Sequence, residues 1–200
     1  VARKTRETML ICEAAGYDVV IVETVGVGQS ETMVDSMVDL FLLLMLPNAG
    51  DELQGLKKGL LELADLVVVN KSDGKQESLA KTAQSEYSKA LHLLPSSKNS
   101  WTPQILRCSA LEKRGMDKIW EAAKSFRETL RNSGEWEKQR RKQTGKWMWS
   151  LVEEGLLLKF RNHPNLQKQI SELEKAVESG NMLPTTAATK LLDSWQTHSK

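Results

Sequence analysis

DLVVVNKSD, residues 65 to 73, carries an unbroken apolar stretch straight into a loop holding an amide, an ammonium and a carboxylate. Three consecutive valines favour a strand, because branched side chains pack well on a pleated surface. Leu66 to Val69 is apolar at every position rather than at alternate ones. That pattern marks a strand covered on both faces. The polar loop begins at the carboxyl end of this strand, where open parallel sheets bind their ligands.

Working outward, the same alternation of strand and helix recurs. YDVVIVE (17–23), LFLLLML (40–46) and PQILRCS (103–109) read as further strands, the first two fully buried. TRETMLICEAAG (5–16) has helical character and stops at Gly16. SETMVDSMVD (30–39) is short and mildly helical. Leu53, Leu56, Leu60 and Leu63 form one helical stripe. Helices are also expected over about 77–94, with Tyr87, Leu91 and Leu94 inward, and over 115–130, with Ile119, Ala123, Phe126 and Leu130 inward. Alternating strands and helices, with strands apolar throughout, require an α/β fold with a mostly parallel sheet between helical layers. From Gly134 onward only helices are expected, with Trp149, Val152, Leu156 and Phe160 spaced as one stripe and a break at His163-Pro164. The reading is an α/β domain over 1–133 and a helical extension over 134–200.

Composition narrows the function classes. The chain has 200 residues, is 40% hydrophobic and carries a net charge of +2. So slight a charge gives little bulk attraction to nucleic acid. EWEKQRRKQTGK (135–146) sets five bases against two acids, and it reads as a solvated helix face rather than as an RNA or membrane surface. The longest apolar run is far too short to span a bilayer. Cys12 and Cys108 lie in apolar surroundings and read as reduced thiols of a reducing compartment. His92, His163 and His198 are scattered, without metal-ligand spacing. No targeting segment is visible. The chain opens on Val1 within a helix-like stretch, so it reads as a piece of a longer protein.

The chemistry gathers at the strand ends. In Asn70-Lys71-Ser72-Asp73 the Asp73 carboxylate can accept two parallel hydrogen bonds from the N1–H and N2–H₂ edge of guanine, a donor pair that adenine lacks. Asn70 can bridge the loop to the base edge, and the stem of Lys71 can lie over the purine ring. The competing reading is a polar turn in which Asp73 and Gly74 cap the next helix. Ser109, Ala110 and Leu111 close the last strand, where backbone N–H groups can meet the guanine O6. A simple cap explains Ser109 equally well. In ETVGVGQSE (23–31), Gly26 allows close backbone approach to a terminal phosphate, and Glu23 can hold magnesium directly or through water. A turn without a ligand is the alternative. PNAGDELQGLKKG (47–59) reads by composition as a mobile, acid-capped turn.

Taken together, ETVGVGQSE, PNAGDELQGLKKG, NKSDG and the tail segments RRKQTGKWMW and FRNHP resemble the MeaB/ArgK/MMAA family. These are methylmalonic aciduria type A protein-like GTPases that chaperone adenosylcobalamin-dependent acyl-CoA mutases. The resemblance implies a P-loop NTPase core of Ras-like form, truncated at its N-terminus, with a C-terminal arm that makes a homodimer. It implies GTP/GDP and Mg²⁺ as ligands, with Asn70, Lys71, Asp73, Ser109, Ala110 and Leu111 at the base. Glu23 and Gly26 would belong to the magnesium and hydrolysis network. Asp51, Gln54 and Lys57 would form a switch coupling hydrolysis to the partner. That partner would be a methylmalonyl-CoA mutase-like B12 enzyme, with a cob(I)alamin adenosyltransferase upstream of it. Neither nucleic acid nor membrane is implied. The compartment would be the mitochondrial matrix in a eukaryote or the cytoplasm in a bacterium.

One departure qualifies the expectation. The 200 residues contain no G-x-x-x-x-G-K-[ST], the motif that cradles β- and γ-phosphates. Phosphoryl transfer depends on that cradle for positioning and charge neutralisation. The chain alone is therefore expected to bind GTP poorly and to be inactive as a hydrolase. Two other readings compete: a metal-insertion GTPase, which usually carries histidine- or cysteine-rich sites, and a truncated, non-catalytic binding or dimerisation module.

Overall fold

The structure is a computed structural model that describes residues 2–24, 30–47, 58–92 and 100–198. Residues 1–143 and 144–200 form two compact units.

The first unit is built on a parallel sheet of three strands, β1 (Leu42–Met45), β2 (Leu66–Val69) and β3 (Gln104–Arg107), in that spatial order. Register places Leu42 opposite Leu66 and Leu66 opposite Gln104, so all three strands end level, at Met45, Val69 and Arg107. β2 lies in the middle with all four residues fully buried. Its period-two alternation divides the core. Val67 and Val69 face Leu61 of α3 (Lys58–Leu63) together with Ala80, Ala83 and Tyr87 of α4 (Glu77–His92). Leu66 faces Ala122, Phe126 and Leu130 of α5 (Met116–Ser133). Trp101 joins that second layer edge-on to Phe126, with ring centroids 5.2 Å apart. Complete burial of a side chain such as Phe126 stabilises the fold by about 2–3 kcal/mol. Asp65 fastens the start of β2: its Oδ2 accepts from the Phe41 N–H at 2.9 Å, and its carbonyl accepts from the Trp101 indole at 3.0 Å.

Two expectations need correction. Residues 17–24 are not a buried strand; they carry no regular secondary structure, and Ile21 is 87% exposed. An apolar run becomes a strand only where a neighbouring edge supplies N–H and C=O partners, and among the described residues none pairs with it. LFLLLML is likewise not buried throughout: Phe41 and Met45 are inside, whereas Leu44 is 62% exposed. β1 is an outer strand of the described sheet, and no described helix covers Leu44.

α1 (Ala2–Ala14) and α2 (Ser30–Asp35) complete the unit with the first third of α6 (Glu135–Arg161). The basic run turns out to be partly structural. Arg140 donates to both oxygens of Asp39 and to Glu13, while its guanidinium lies 5.4 Å from the Trp136 ring centroid. The hydrogen bond to Asp39 leads the forces that push the Arg140 pKa further up. Gln143 Nε2 adds bonds to the carbonyls of Val38 and Asp35. Lys138, Arg141, Lys142 and Lys146 remain exposed.

The second unit is helical: the rest of α6, α7 (Pro164–Glu178) and α8 (Pro184–His198). His163 and Pro164 divide α6 from α7 as the sequence suggests, with Pro at the first helical position, where its missing N–H matters least. Leu166, Leu173 and Ala187 are buried, and Trp195 packs 5.6 Å from Phe160 and 5.4 Å from His163. No helix among the described residues is long and apolar enough to cross a membrane.

Candidate functional site

β2 and β3 are neighbours that end level, so the loops leaving them meet. Asn70 follows Val69 directly, and its Oδ1 is the hub. It accepts from the N–H of Lys71 at 2.7 Å, from the N–H of Ala110 at 3.2 Å and from the Cys108 thiol at 3.4 Å. One side-chain oxygen thus joins two loops forty residues apart in sequence. Local bonding of this kind is characteristic of Asn and competes with regular backbone structure. It accompanies a left-handed Lys71, φ +59°, a conformation that a non-glycine residue adopts only where its surroundings enforce it.

Asp73 starts a 3₁₀ turn (Gly74–Gln76), yet its carboxylate makes no cap bond there. Its Oδ2 instead accepts from Ser109 Oγ at 2.6 Å. Ser109 is fully buried, and its oxygen also accepts from the Glu112 N–H at 3.0 Å. The capping interpretation of Asp73 therefore loses its main support, while Ser109 serves both its own turn and the carboxylate across from it. Burial pushes the neighbouring Cys108 thiol pKa up, which keeps it neutral and a donor.

Ser72 and Arg114 belong to the same assembly and carry no signal in the sequence. Ser72 N–H donates to the Cys108 carbonyl at 3.0 Å. Arg114 Nη2 donates to the Ser72 carbonyl at 2.6 Å, and its guanidinium pairs with Glu77 and Glu112. Gly115 shuts the turn against β3, since a Cβ there would lie 2.6 Å from the Arg107 carbonyl oxygen. Chemically, the result is a carboxylate held by the Ser109 hydroxyl beside an amide oxygen held by two backbone N–H groups, on one rim.

The other sequence candidates divide. Leu111 sits on this rim but is 85% exposed. Ala110 N–H is aimed at Asn70, so a base oxygen would have to share or displace that bond. Glu23 is exposed at the end of the 17–24 segment. Among the described residues no three Asp, Glu, His or Cys side chains cluster as a metal cage. A lone carboxylate suits magnesium, which takes one or two carboxylates and completes its shell with water and phosphate oxygens. Gly26, Asp51, Gln54 and Lys57 lie outside the described residues, as do Leu53, Leu56 and Leu94.

Comparison with known proteins places this geometry in context. The family model described as methylmalonyl Co-A mutase-associated GTPase MeaB matches residues 1–165. The chain is 44% identical to the GTPase ArgK of Escherichia coli over 196 residues, covering 98% of the chain and 59% of that protein. It is 43% identical to the mitochondrial methylmalonic aciduria type A homolog of Mus musculus, covering 98% of the chain and 47% of that protein. A crystal structure of a LAO/AO transport system kinase superposes with a TM-score of 0.78 at 42% identity, over 98% of the chain and 63% of that structure. The chain therefore spans about half the length of the curated relatives it matches.

Proposed function

The chain belongs to the family of methylmalonyl-CoA mutase-associated GTPases, MeaB, and on that premise we propose that its two facing loops form the base-reading half of a GTP/GDP site. The observation that carries this reading is the carboxylate of Asp73, withdrawn from helix capping and held by Ser109 beside the Asn70 hub. Asp73 accepts the N1–H and N2–H₂ edge of guanine. Asn70 ties the two loops together, Lys71 lays its stem over the ring, and Ala110 with Leu111 closes the rim at O6. Glu23 and Gly26 serve the phosphate side, where bound Mg²⁺ neutralises charge that develops on the phosphates during hydrolysis.

In the cell the protein acts as a nucleotide-binding chaperone of an adenosylcobalamin-dependent acyl-CoA mutase of the methylmalonyl-CoA mutase kind. It gates delivery of the cobalamin cofactor from an adenosyltransferase and protects the mutase. Asp51, Gln54 and Lys57 couple the hydrolase cycle to that partner. Residues 1–133 are the nucleotide domain and 134–200 the homodimer arm; the first third of α6 packs within the first compact unit, and the exposed apolar side chains further along α6 support the arm's role. The protein works in the mitochondrial matrix if its source is a eukaryote and in the cytoplasm if bacterial.

The 200-residue chain by itself lacks the phosphate cradle, so it binds GTP more weakly than micromolar and turns it over negligibly. Isothermal titration with GTP and Mg²⁺ measures this directly. Micromolar or tighter binding would contradict it. The base site is tested separately by amide chemical shifts on titration to millimolar GMP and AMP. Shifts at residues 70–73 and 109–112 with GMP, and none with AMP, are expected. Equal responses would remove the guanine reading.

A further inference from the structure

Arg114 touches both supports of the Asp73 carboxylate. Its backbone pairs with Ser109 in both directions, N–H to carbonyl at 3.1 Å and carbonyl from N–H at 3.0 Å. Ser109 in turn donates to Asp73. Its guanidinium reaches the opposite loop and donates to the carbonyl of Ser72, the residue immediately before Asp73, at 2.6 Å. Ser72 is buried and already donates its N–H to Cys108. Ser72, next to Asp73, is thus held on both sides, through its N–H by Cys108 just beyond β3 and through its carbonyl by Arg114.

The rest of the guanidinium is spent on Glu77 and Glu112, at 3.3 and 3.2 Å, with the side chain half exposed. Exposed ion pairs of this kind add little to stability. The bond to a buried carbonyl is different, because it fixes a direction: Arg presents several donors in a rigid fork and can serve the carbonyl and both carboxylates together. Gly115 keeps the fork in place, as its left-handed backbone, φ +79°, lies too close to the Arg107 carbonyl for any side chain.

We propose that Arg114 is a positioning residue for base selection, locking the Ser72–Asp73 peptide against the Ser109 turn so that the Asp73 carboxylate stands ready for a purine carrying an exocyclic 2-amino group. This rests on the guanine reading above. Arg114 itself touches no ligand. Its effect falls on both hydrogen bonds to the Asp73 carboxylate, so guanine, which makes two, loses more than hypoxanthine, which keeps only N1–H.

The experiment compares GMP with IMP, which lacks that amino group, and with AMP, in amide-shift titrations of the full chain. Wild type should favour GMP over IMP about tenfold or more, as loss of one member of a bidentate pair predicts. Arg114→Met should weaken GMP clearly more than IMP, collapsing the ratio to near two. Arg114→Lys, with one compact donor group for three acceptors, should fall between. Equal weakening of GMP and IMP, or a Met variant with the wild-type ratio, would overturn the inference while leaving the guanine site intact. If Arg114→Met does not fold, the Lys variant decides: a reduced GMP-to-IMP ratio supports the role, and the wild-type ratio overturns it. A wild type that binds AMP as well as GMP refutes the site itself, a result separable from failure of Arg114 alone.

Discussion

Ser109 Oγ donates a 2.6 Å hydrogen bond to Asp73 Oδ2 across two loops that leave adjacent strands. The bond orients the carboxylate from below, because Ser109 is fully buried. Asp73→Ala should abolish the preference of the chain for GMP over AMP, a loss of about 1–3 kcal/mol. Ser109→Ala keeps the carboxylate but frees its torsion and strands the Glu112 N–H, so stability should fall by about 1–2 kcal/mol and the GMP preference should narrow. Urea unfolding reads the first effect and amide-shift titration the second. An unchanged preference in Asp73→Ala would show that the carboxylate faces no base.

A contrast between two glycines tests how the turn is closed. Gly115 and Gly134 both adopt left-handed backbone, φ +79° and +73°. A Cβ at Gly134 meets nothing within 4 Å, whereas at Gly115 it meets the Arg107 carbonyl oxygen at 2.6 Å. Gly134→Ala should therefore cost only the conformational penalty, about 1 kcal/mol. Gly115→Ala adds a backbone clash at the end of β3 and should cost about 2–4 kcal/mol. Equal losses in thermal or urea denaturation would mean that the turn gives way without strain.

These residues also show what could be read in advance. β2 was legible because burial on both faces leaves no polar position in Leu66 to Val69, a local signature independent of context. NKSD and SAL were legible because they follow strands whose type the same signature supplies. Residues 17–23 carry that signature too and still form no strand here, since an apolar run cannot specify the edge against which it pairs. Arg114 was beyond reach for the opposite reason. Its partners Ser72 and Glu77 lie about forty residues away, and nothing in EKRG distinguishes a clamp from a solvated turn. The run 135–146 reads as a solvated face, yet its Arg140 binds Asp39 and Glu13, again across a separation that spacing cannot reveal.

Cys108 gives a pH-dependent prediction. Burial raises its pKa in the folded chain. A thiol with a raised folded pKa contributes stability that is fully present below the unfolded value, near 8.5–9. That contribution is lost as pH climbs toward the folded value, because the unfolded chain releases its proton first. The unfolding midpoint in urea should thus fall between about pH 8 and 10, and Cys108→Ala should fall less steeply over the same range. A variant as pH-sensitive as wild type would assign the slope to other groups. The same burial predicts that disulfide-exchange reagents label Cys12, which is only partly buried, before Cys108.

α6 supplies the last test. It is 27 residues long and buries none of them. Its apolar side chains nonetheless include Trp149 at 62% exposure and Leu156 at 54%, with Val152 between them on the expected stripe. A helix that leaves so much apolar surface in water is stabilised by covering it, and a second copy of the same stripe is the self-complementary partner that two-fold symmetry provides. Sedimentation equilibrium of the chain should show a concentration-dependent dimer. Leu156→Asp would place two charges in the apolar seam, one from each copy, and should shift the population to monomer. Glu154→Gln, on the same helix but on another face, should leave the dimer intact. A Leu156→Asp chain that dimerises as wild type does would free α6 from any role in association.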